Sequence, residues 1–372
     1  MARYYFSSPE ICFGEEAIGS LSQLNHKRVA IVTDDFMLRA GKVRYLTDHM
    51  PQAVVSVFAE VKPDPDVDLL AAGAAHFKTF HPDVIVALGG GSALDAAKGI
   101  KVTLEACFAD RAIELVAIPT TSGSGSEVTS YAVISDAQHG RKYPLISPHL
   151  LPDRAILDPH LVLTVPRHVA VDTGMDVLTH AIEALVSTGA NDFSDALAEK
   201  AIALTWRYLP QVFNNEDDLV ARTHMHNASC MAGMAFNSAG LGLVHGLAHA
   251  LGGMLHIPHG KINAMLLPIV IDYNSQQACA DTRSRYVRCA HIMGIAQGVP
   301  ELAIKQMSQK IRQLNQHFAI PATLNALGID RAKVASLRDR LVCSALADGC
   351  TASNPRRATA QEVAALVDCI TG

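Results

Sequence analysis

Short apolar runs recur through the first third of the chain. Arg28–Thr33 (RVAIVT), Ala53–Phe58 (AVVSVF), Asp83–Leu88 (DVIVAL) and Leu115–Ile118 (LVAI) are rich in β-branched residues and bounded by polar or glycine positions, which predicts strands. The segments between them, Phe36–Leu46, Val67–Phe80 and Ala93–Glu105, read as helices. Strands alternating with helices predict βαβ units and a parallel sheet. From Arg167 the pattern is helical almost throughout, as in Ser194–Tyr208, His224–Met234, Leu302–Phe318 and Arg331–Ala347. Arg141–Pro166, with prolines at 144, 148, 152, 159 and 166, reads as an extended connector. The expected architecture is a Rossmann-like α/β domain over residues 1–166 and an all-α domain over residues 167–372, with an active site in the cleft between them.

The whole chain bounds this picture without changing it. At 372 residues, two domains are the natural count. A net charge of −5 with no basic run argues against a nucleic-acid partner. Every long apolar stretch is interrupted by charge, His or Gly, so no membrane span is expected. The N-terminus, MARYYFSSPEI, lacks the apolar core of a secretory signal, and the eight cysteines form no C-x-x-C pair; both point to the cytoplasm and to reduced thiols.

Two loops carry candidate nucleotide chemistry. The third strand runs into Gly89-Gly90-Gly91-Ser92 and then a helix, whose free N–H groups and positive dipole end suit a pyrophosphate. The fourth runs into PTTSGSGSE (119–127). Two hydroxyl- and glycine-rich loops at the carboxyl ends of neighbouring strands make a crevice typical of nucleotide sites. The G-x-G-x-x-G of an ordinary Rossmann domain is absent after the first strand. Asp34 ends that strand, where a carboxylate can bind a ribose diol and repel a 2′-phosphate, or simply cap a helix. Lys142 could face the cofactor or be merely solvated.

A second constellation suggests a metal. In DTGMDVLTHAIE (172–183), Asp176 and His180 are four apart, on one helix face. In LVHGLAHALGGMLHIPHG (243–260), His245 and His249 repeat the spacing, and His259 follows beside Pro258 and Gly260. Six of the 17 histidines fall between His224 and His259, well above an even spread. One carboxylate with several imidazoles suits a divalent first-row metal acting as a Lewis acid, and leaves the site net positive. Buried, hydrogen-bonded histidines are the bland reading, which two such pairs beside a third His make the weaker one.

The stretches GGGSALDAAK (89–98), PTTSGSGSEVTSYAVI (119–134), DTGMDVLTHAIEA (172–184) and AGLGLVHGLAHALGGMLHIPHG (239–260) together resemble the iron-dependent alcohol dehydrogenase family, and PEICFGEEAI (9–18) and DGCTASNPR (348–356) extend the resemblance to nearly the whole chain. It implies Fe2+, with Zn2+ as the alternative, on Asp176, His180, His245 and His259, and His249 as a proton-relay residue. It implies NAD bound by Asp34, Gly89, Gly90, Gly91, Ser92, Asp95, Thr120, Thr121, Ser124 and Lys142. Tyr131, Phe236 and Cys350 fall at positions that line the substrate pocket in relatives, and His256 matches no ligand. The expected reaction interconverts a short primary alcohol and its aldehyde, such as propanal and 1-propanol. Tyr131 stands where diol-handling relatives have a polar Asn, which favours an unbranched, single-hydroxyl substrate. The branch it resembles most works in propanediol-utilising microcompartments, so shell or cargo components join a homodimer or larger assembly as expected partners.

Rival readings are a lactaldehyde- or glycerol-type diol dehydrogenase, a dehydroquinate-synthase-like NAD- and metal-dependent lyase, a metallohydrolase, and a scaffolding protein with a vestigial site. The lyase would need a pocket rich in Lys and Arg, and residues 243–260 contain neither. A hydrolase leaves the glycine loops unexplained.

Overall fold

The computed structural model describes residues 6–108, 111–136, 141–295 and 298–372. The chain packs as two compact units, and neither is one continuous stretch. The first comprises Ser7–Val165 with Asp217–Gly233; the second is built from Phe6, Pro166–Glu216 and Met234–Gly372.

In the first unit the strands are β1 (Glu10–Phe13), β2 (Arg28–Val32), β3 (Val54–Phe58), β4 (Val84–Gly89), β5 (Glu114–Pro119), β6 (Tyr131–Asp136), β7 (Arg141–Ile146) and β8 (Arg154–Leu157). Six form a parallel sheet in the order β1-β8-β5-β4-β2-β3, while β6 and β7 pair as an antiparallel hairpin. The helices are α1 (Asp35–Arg39), α2 (Lys42–Thr47), α3 (Val67–Lys78) and α4 (Gly91–Cys107). Alternate strand residues point to opposite faces. Ala30, Val32, Ile85, Ala87, Leu115 and Ala117 pack on Leu70, Phe77, Leu94 and Ile100 of α3 and α4. Val29, Ile31, Val84, Val86, Val116 and Ile118 pack on Leu21, Val43, Leu46 and Met50 on the other side. Coverage on both faces is why these strands read as continuous apolar runs.

Two expectations need correction. Phe36–Leu46 is not one helix: Gly41, with φ +73°, breaks it into α1 and α2. Nor is Arg141–Pro166 only a connector. It contains β7, and it contains β8, which lies inside the sheet between β1 and β5. The prolines stand outside β8, so they did not forbid it.

The sheet order reverses at β2. Its chain crosses first to β3 on one side, then back to β4 on the other, so the carboxyl ends of β2 and β4 flank a topological switch point. There Gly89 adopts φ +150°. Lys98 of α4 is fully buried and donates through Nζ to Tyr131 O (2.6 Å) and Thr129 O (2.9 Å), tying the helix to the start of β6.

Glu127 is buried close to Lys98. Burial pushes its carboxyl up to about 7, against the opposing pull of its own N–H and of Lys98. As pH rises from the ordinary 4.5 towards 7, the unfolded chain sheds a proton that the folded chain keeps, so stability falls across that window and stays lowered above it. Glu127→Gln is therefore expected to stabilise the protein on the order of 2–3 kcal/mol at pH 8, and to change nothing at pH 4. Thermal midpoints that track each other from pH 4 to 8 would refute this.

The second unit holds α5 (Arg167–Val186), α6 (Asp192–Asn214), the last turns of α7 (Leu219–Ala239), α8 (Leu243–Leu255), α9 (His259–Gln276), α10 (Ala280–Ile292), α11 (Pro300–His317), α12 (Arg331–Ala347) and α13 (Ala360–Thr371). Side-chain capping boxes, Asn191 with Ser194 and Thr359 with Glu362, start α6 and α13. α5 is buried nearly all round from Ala170, as a central helix must be. It approaches α9 so closely at Gly260 that a Cβ there would lie 2.0 Å from the Asp172 carbonyl oxygen. Among the described residues no helix is long and apolar enough to cross a membrane.

Candidate metal centre and nucleotide loops

Three helices of the second unit bring the candidate ligands together. Asp176 and His180 come from successive turns of α5, His245 from the first turn of α8, and His259 from the first position of α9. Asp176 Oδ1 lies 3.8 Å from His180 Nε2, 3.5 Å from His245 Nε2 and 3.7 Å from His259 Nε2. Four donors around a cation at bonds of about 2.1 Å stand about 3.4 Å apart; the ligating atoms of Asp176, His180 and His245 all lie within 4.8 Å of one another, and His259 reaches Asp176 from α9, so a divalent metal would draw the four together by small side-chain shifts. Asp176, His180 and His245 are buried, while His259 keeps 41 % of its side chain exposed.

The electrostatics agree with a cation site. Burial alone would raise the Asp176 pKa, but His180, His259 and His245 outweigh it and hold the carboxyl far below its usual range. Burial likewise opposes charge on His245, yet Asp176 and Glu183 raise it to about 9. In the metal-free protein a proton thus stands where a metal would, and metal uptake must release it. Aromatic stacking fixes the rings: His180 lies 4.6 Å from Phe236 on one side and 4.6 Å from His245 on the other.

Sequence reasoning missed three residues that hold this set. Glu183, buried on α5, accepts from His245 Nδ1 (2.6 Å) and from the N–H groups of Gly242 and Val244 at the start of α8. Fixing the Nδ1 proton leaves His245 Nε2 as a lone-pair donor. With Glu183 counted, a divalent ion would be balanced by two carboxylates, so the net positive charge expected from Asp176 alone does not hold. Asn263, one turn after His259 on α9, places Nδ2 2.6 Å from Asp176 Oδ1. Asp348, between α12 and the turn Gly349–Ser353, accepts from His249 Nδ1 (2.8 Å) and from Cys350 N (2.8 Å). The available signal was helical spacing: Glu183 follows His180 by three, and Asn263 follows His259 by four.

His249 stacks on His259 with ring centres 5.2 Å apart, and its Nδ1 faces Asp348, so it stands beside the ligand set. Ligating atoms of His249, Asp348 and Cys350 lie within 4.8 Å of one another. Burial, then Asp348, pushes the Cys350 thiol well up, so it is not a reactive thiolate. His256 is exposed and ends α8 in the left-handed region. The histidine enrichment has a second source. His226 belongs to the first unit, where it is buried, pairs with Ser122 Oγ (3.1 Å) and is lowered by burial to about 4, which keeps it neutral.

In the first unit the two loops meet. A Cβ on Gly90 would lie 3.4 Å from Thr121 Oγ1, and one on Gly91 3.2 Å from Ser124 Oγ. Thr120 N donates to Gly89 O (2.9 Å), and the buried Thr120 Oγ1 has no partner among the described residues. α4 starts at Gly90–Gly91 with no side-chain cap and with Ser92 in its first turn, leaving first-turn N–H groups for an anion. These features fit a nucleotide diphosphate. Asp34 caps α1, Oδ1 accepting from Met37 N (2.8 Å), while Oδ2 would lie 3.7 Å from a Cβ on Gly89. Asp95 points inward instead, its two oxygens accepting from Ser126 Oγ and Val133 N. Tyr131, half-buried, opens β6. Lys142 lies in β7, with its side chain outside the described residues.

Both halves of the chain match known families. Residues 8–159 match iron-containing alcohol dehydrogenase, and residues 170–370 match the C-terminal part of the Fe-containing alcohol dehydrogenase family. The chain belongs to the iron-containing alcohol dehydrogenases. It is 43 % identical over 357 residues to 1-propanol dehydrogenase PduQ of Citrobacter freundii, covering 95 % of this chain and 96 % of that one. The structure of a 1,3-propanediol oxidoreductase superposes with a TM-score of 0.91 at 34 % identity, covering 99 % of both chains. That of sulfoacetaldehyde reductase from Bifidobacterium kashiwanohense in complex with NAD+ gives 0.88 at 27 % identity, covering 100 % of both. As in other iron-containing alcohol dehydrogenases, the reaction class is alcohol–aldehyde oxidoreduction.

Proposed function

We propose that this chain reduces a short, unbranched aldehyde such as propanal to its primary alcohol, with NADH as hydride donor and ferrous iron as the bound metal. The observation that carries the reading is the convergence of one carboxylate and three imidazoles beside a further histidine, in a chain 43 % identical to a 1-propanol dehydrogenase. The NAD+ complex of a relative at 27 % identity supports the coenzyme.

Asp176, His180, His245 and His259 would hold the iron, and bound iron supplies a Lewis acid that polarises the substrate carbonyl. Glu183 fixes the tautomer of His245. Asp348 holds His249 through Nδ1–H, so that His249, once protonated on both ring nitrogens, would deliver from Nε2 the proton that completes the alcohol and return to the neutral ring. Gly89–Ser92, Thr120, Thr121 and Ser124 cradle the diphosphate, with Lys142 on the cofactor side, and Asp95 acts by holding the loop at Ser126. Phe236, stacked on His180, and Cys350, beside His249, suit a small apolar chain next to the metal ligands. We also assign the chain a homo-oligomeric state, a cytoplasmic place and association with a microcompartment, on the strength of the PduQ relatives.

Asp34 is the residue that disfavours NADPH. Asp34→Asn keeps the α1 cap but removes the charge, so it should relax discrimination against NADPH about tenfold, equivalent to ~1.4 kcal/mol. An unchanged ratio of kcat/KM for NADH and NADPH would remove this role.

The deciding assay follows NADH oxidation anaerobically on metal-stripped protein, with ferrous iron or zinc restored and propanal, lactaldehyde or 3-hydroxypropanal offered. Iron-dependent turnover of propanal above both hydroxylated aldehydes supports the proposal. A preference for either hydroxylated aldehyde turns it to a diol dehydrogenase. No turnover with any, while NADH still binds, overturns the substrate class.

A further inference from the structure

Asn263 has an arrangement that the four-ligand reading leaves unexplained. It is fully buried, one turn along α9 from His259. Nδ2 lies 2.6 Å from Asp176 Oδ1 and 3.1 Å from both His245 Nε2 and His259 Nε2, so one amide group touches three of the four candidate ligands. Its other end, Oδ1, is buried with no hydrogen-bond partner among the described residues. A buried carbonyl without a partner costs its full desolvation, and protein interiors rarely tolerate one.

We propose that Asn263 is a fifth member of the metal shell, and that its side-chain oxygen sets which divalent cation is retained. The inference rests on the metal reading above. With no cation, the amide N–H groups are well used. One reaches the Asp176 carboxylate, and the other lies within reach of His259 Nε2, 3.1 Å away. A cation reverses the balance. It takes those acceptor atoms and repels the positive end of the amide. A half-turn about the last side-chain bond exchanges Nδ2 for Oδ1 at the same place, a change that leaves the shape of the side chain almost unaltered. The oxygen then gains the cation as its partner and the cation gains a second hard donor beside Asp176, while the amide N–H groups move to the side where Oδ1 has no partner among the described residues, a cost that the ion–oxygen contact must outweigh. Three nitrogens and two oxygens suit ferrous iron, whereas zinc is satisfied by four ligands. Asn263 therefore favours iron over zinc through donor number and hardness.

The test reads metal content and spectrum, not turnover. Metal-stripped wild type, Asn263→Ala and Asn263→Asp are given equimolar Fe2+ and Zn2+ anaerobically, and retained metals are counted by mass spectrometry after desalting. Each protein is also loaded with Co2+, whose visible bands strengthen as coordination falls from five to four. Asn263→Ala should lower the retained Fe:Zn ratio tenfold or more and intensify the cobalt bands. Asn263→Asp restores an oxygen and should return both readouts to wild type or beyond. Should Asn263→Ala fail to fold, Asn263→Leu, of similar volume and without donors, replaces it. A donor-free variant with the wild-type ratio and spectrum overturns the proposal, as does an aspartate variant that behaves like the donor-free one. A wild type that retains none of the three metals removes the metal reading itself, a different result from a shifted ratio.

Discussion

His245→Ala is expected to lose bound metal to background and to lower turnover by ~10³-fold or more. His245 is 1 % exposed, presents Nε2 3.5 Å from Asp176 Oδ1 and is held through Nδ1 by Glu183 at 2.6 Å. No side chain nearby can replace a buried imidazole so fixed. Glu183 keeps its two backbone donors from Gly242 and Val244, so the fold should survive the change. His249→Ala makes the contrast. Its ring stands beside the ligand set and is fastened to Asp348, so that variant should keep its metal and lose about 10²-fold in rate, the range of a general acid. Metal analysis and steady-state kinetics on both proteins check the pair. If His249→Ala loses the metal and His245→Ala keeps it, the two roles have been exchanged.

Gly260→Ala should destabilise the protein by at least ~3 kcal/mol and release the metal. The added methyl would lie 2.0 Å from the carbonyl oxygen and 2.6 Å from the carbonyl carbon of Asp172, and 3.3 Å from Asp176 Cβ. Backbone cannot swing aside as a side-chain end can, so α9 must move off α5 and carry His259 away from Asp176. Gly253→Ala is the control. A Cβ there meets nothing within 4 Å, and alanine in the interior of α8 should stabilise by about 0.5–1 kcal/mol. Thermal unfolding with metal analysis separates the two. A Gly260→Ala protein with wild-type midpoint and metal content would show that the two helices are less tightly joined than their geometry implies.

The convergence of Asp176, His180, His245 and His259 was legible because helical spacing and the proline–glycine frame of His259 are local features. The glycine loops were legible for the same reason: a glycine run that closes a strand and opens a helix is a contiguous pattern. The supporting residues were not. Glu183 and His245 are 62 positions apart, and His249 and Asp348 are 99 apart. One carboxylate on a helix looks like any other until its partner is known. β1 and β8 escaped for a different reason: each has four residues, too few for a period, and β1 is held to the sheet by β8, 144 positions away. Asp34 illustrates an ambiguity of which the structure answers one side: Oδ1 caps α1, while Oδ2 stands near Gly89 and its part in coenzyme choice belongs to the proposal above.

The discontinuity of the first unit has a consequence for synthesis. Its β1 cannot join the sheet before β8 is made, and Gly233, packed where a Cβ would come within 2.9 Å of Gly125 Cα, arrives later still. A nascent chain therefore carries the glycine and hydroxyl loops, with the apolar strands beneath them, through translation of most of its length before that unit can close. Those strands are exposed during the interval in which parallel pairing is slowest. The ribosome-bound stage is therefore where aggregation of this fold is expected to be greatest.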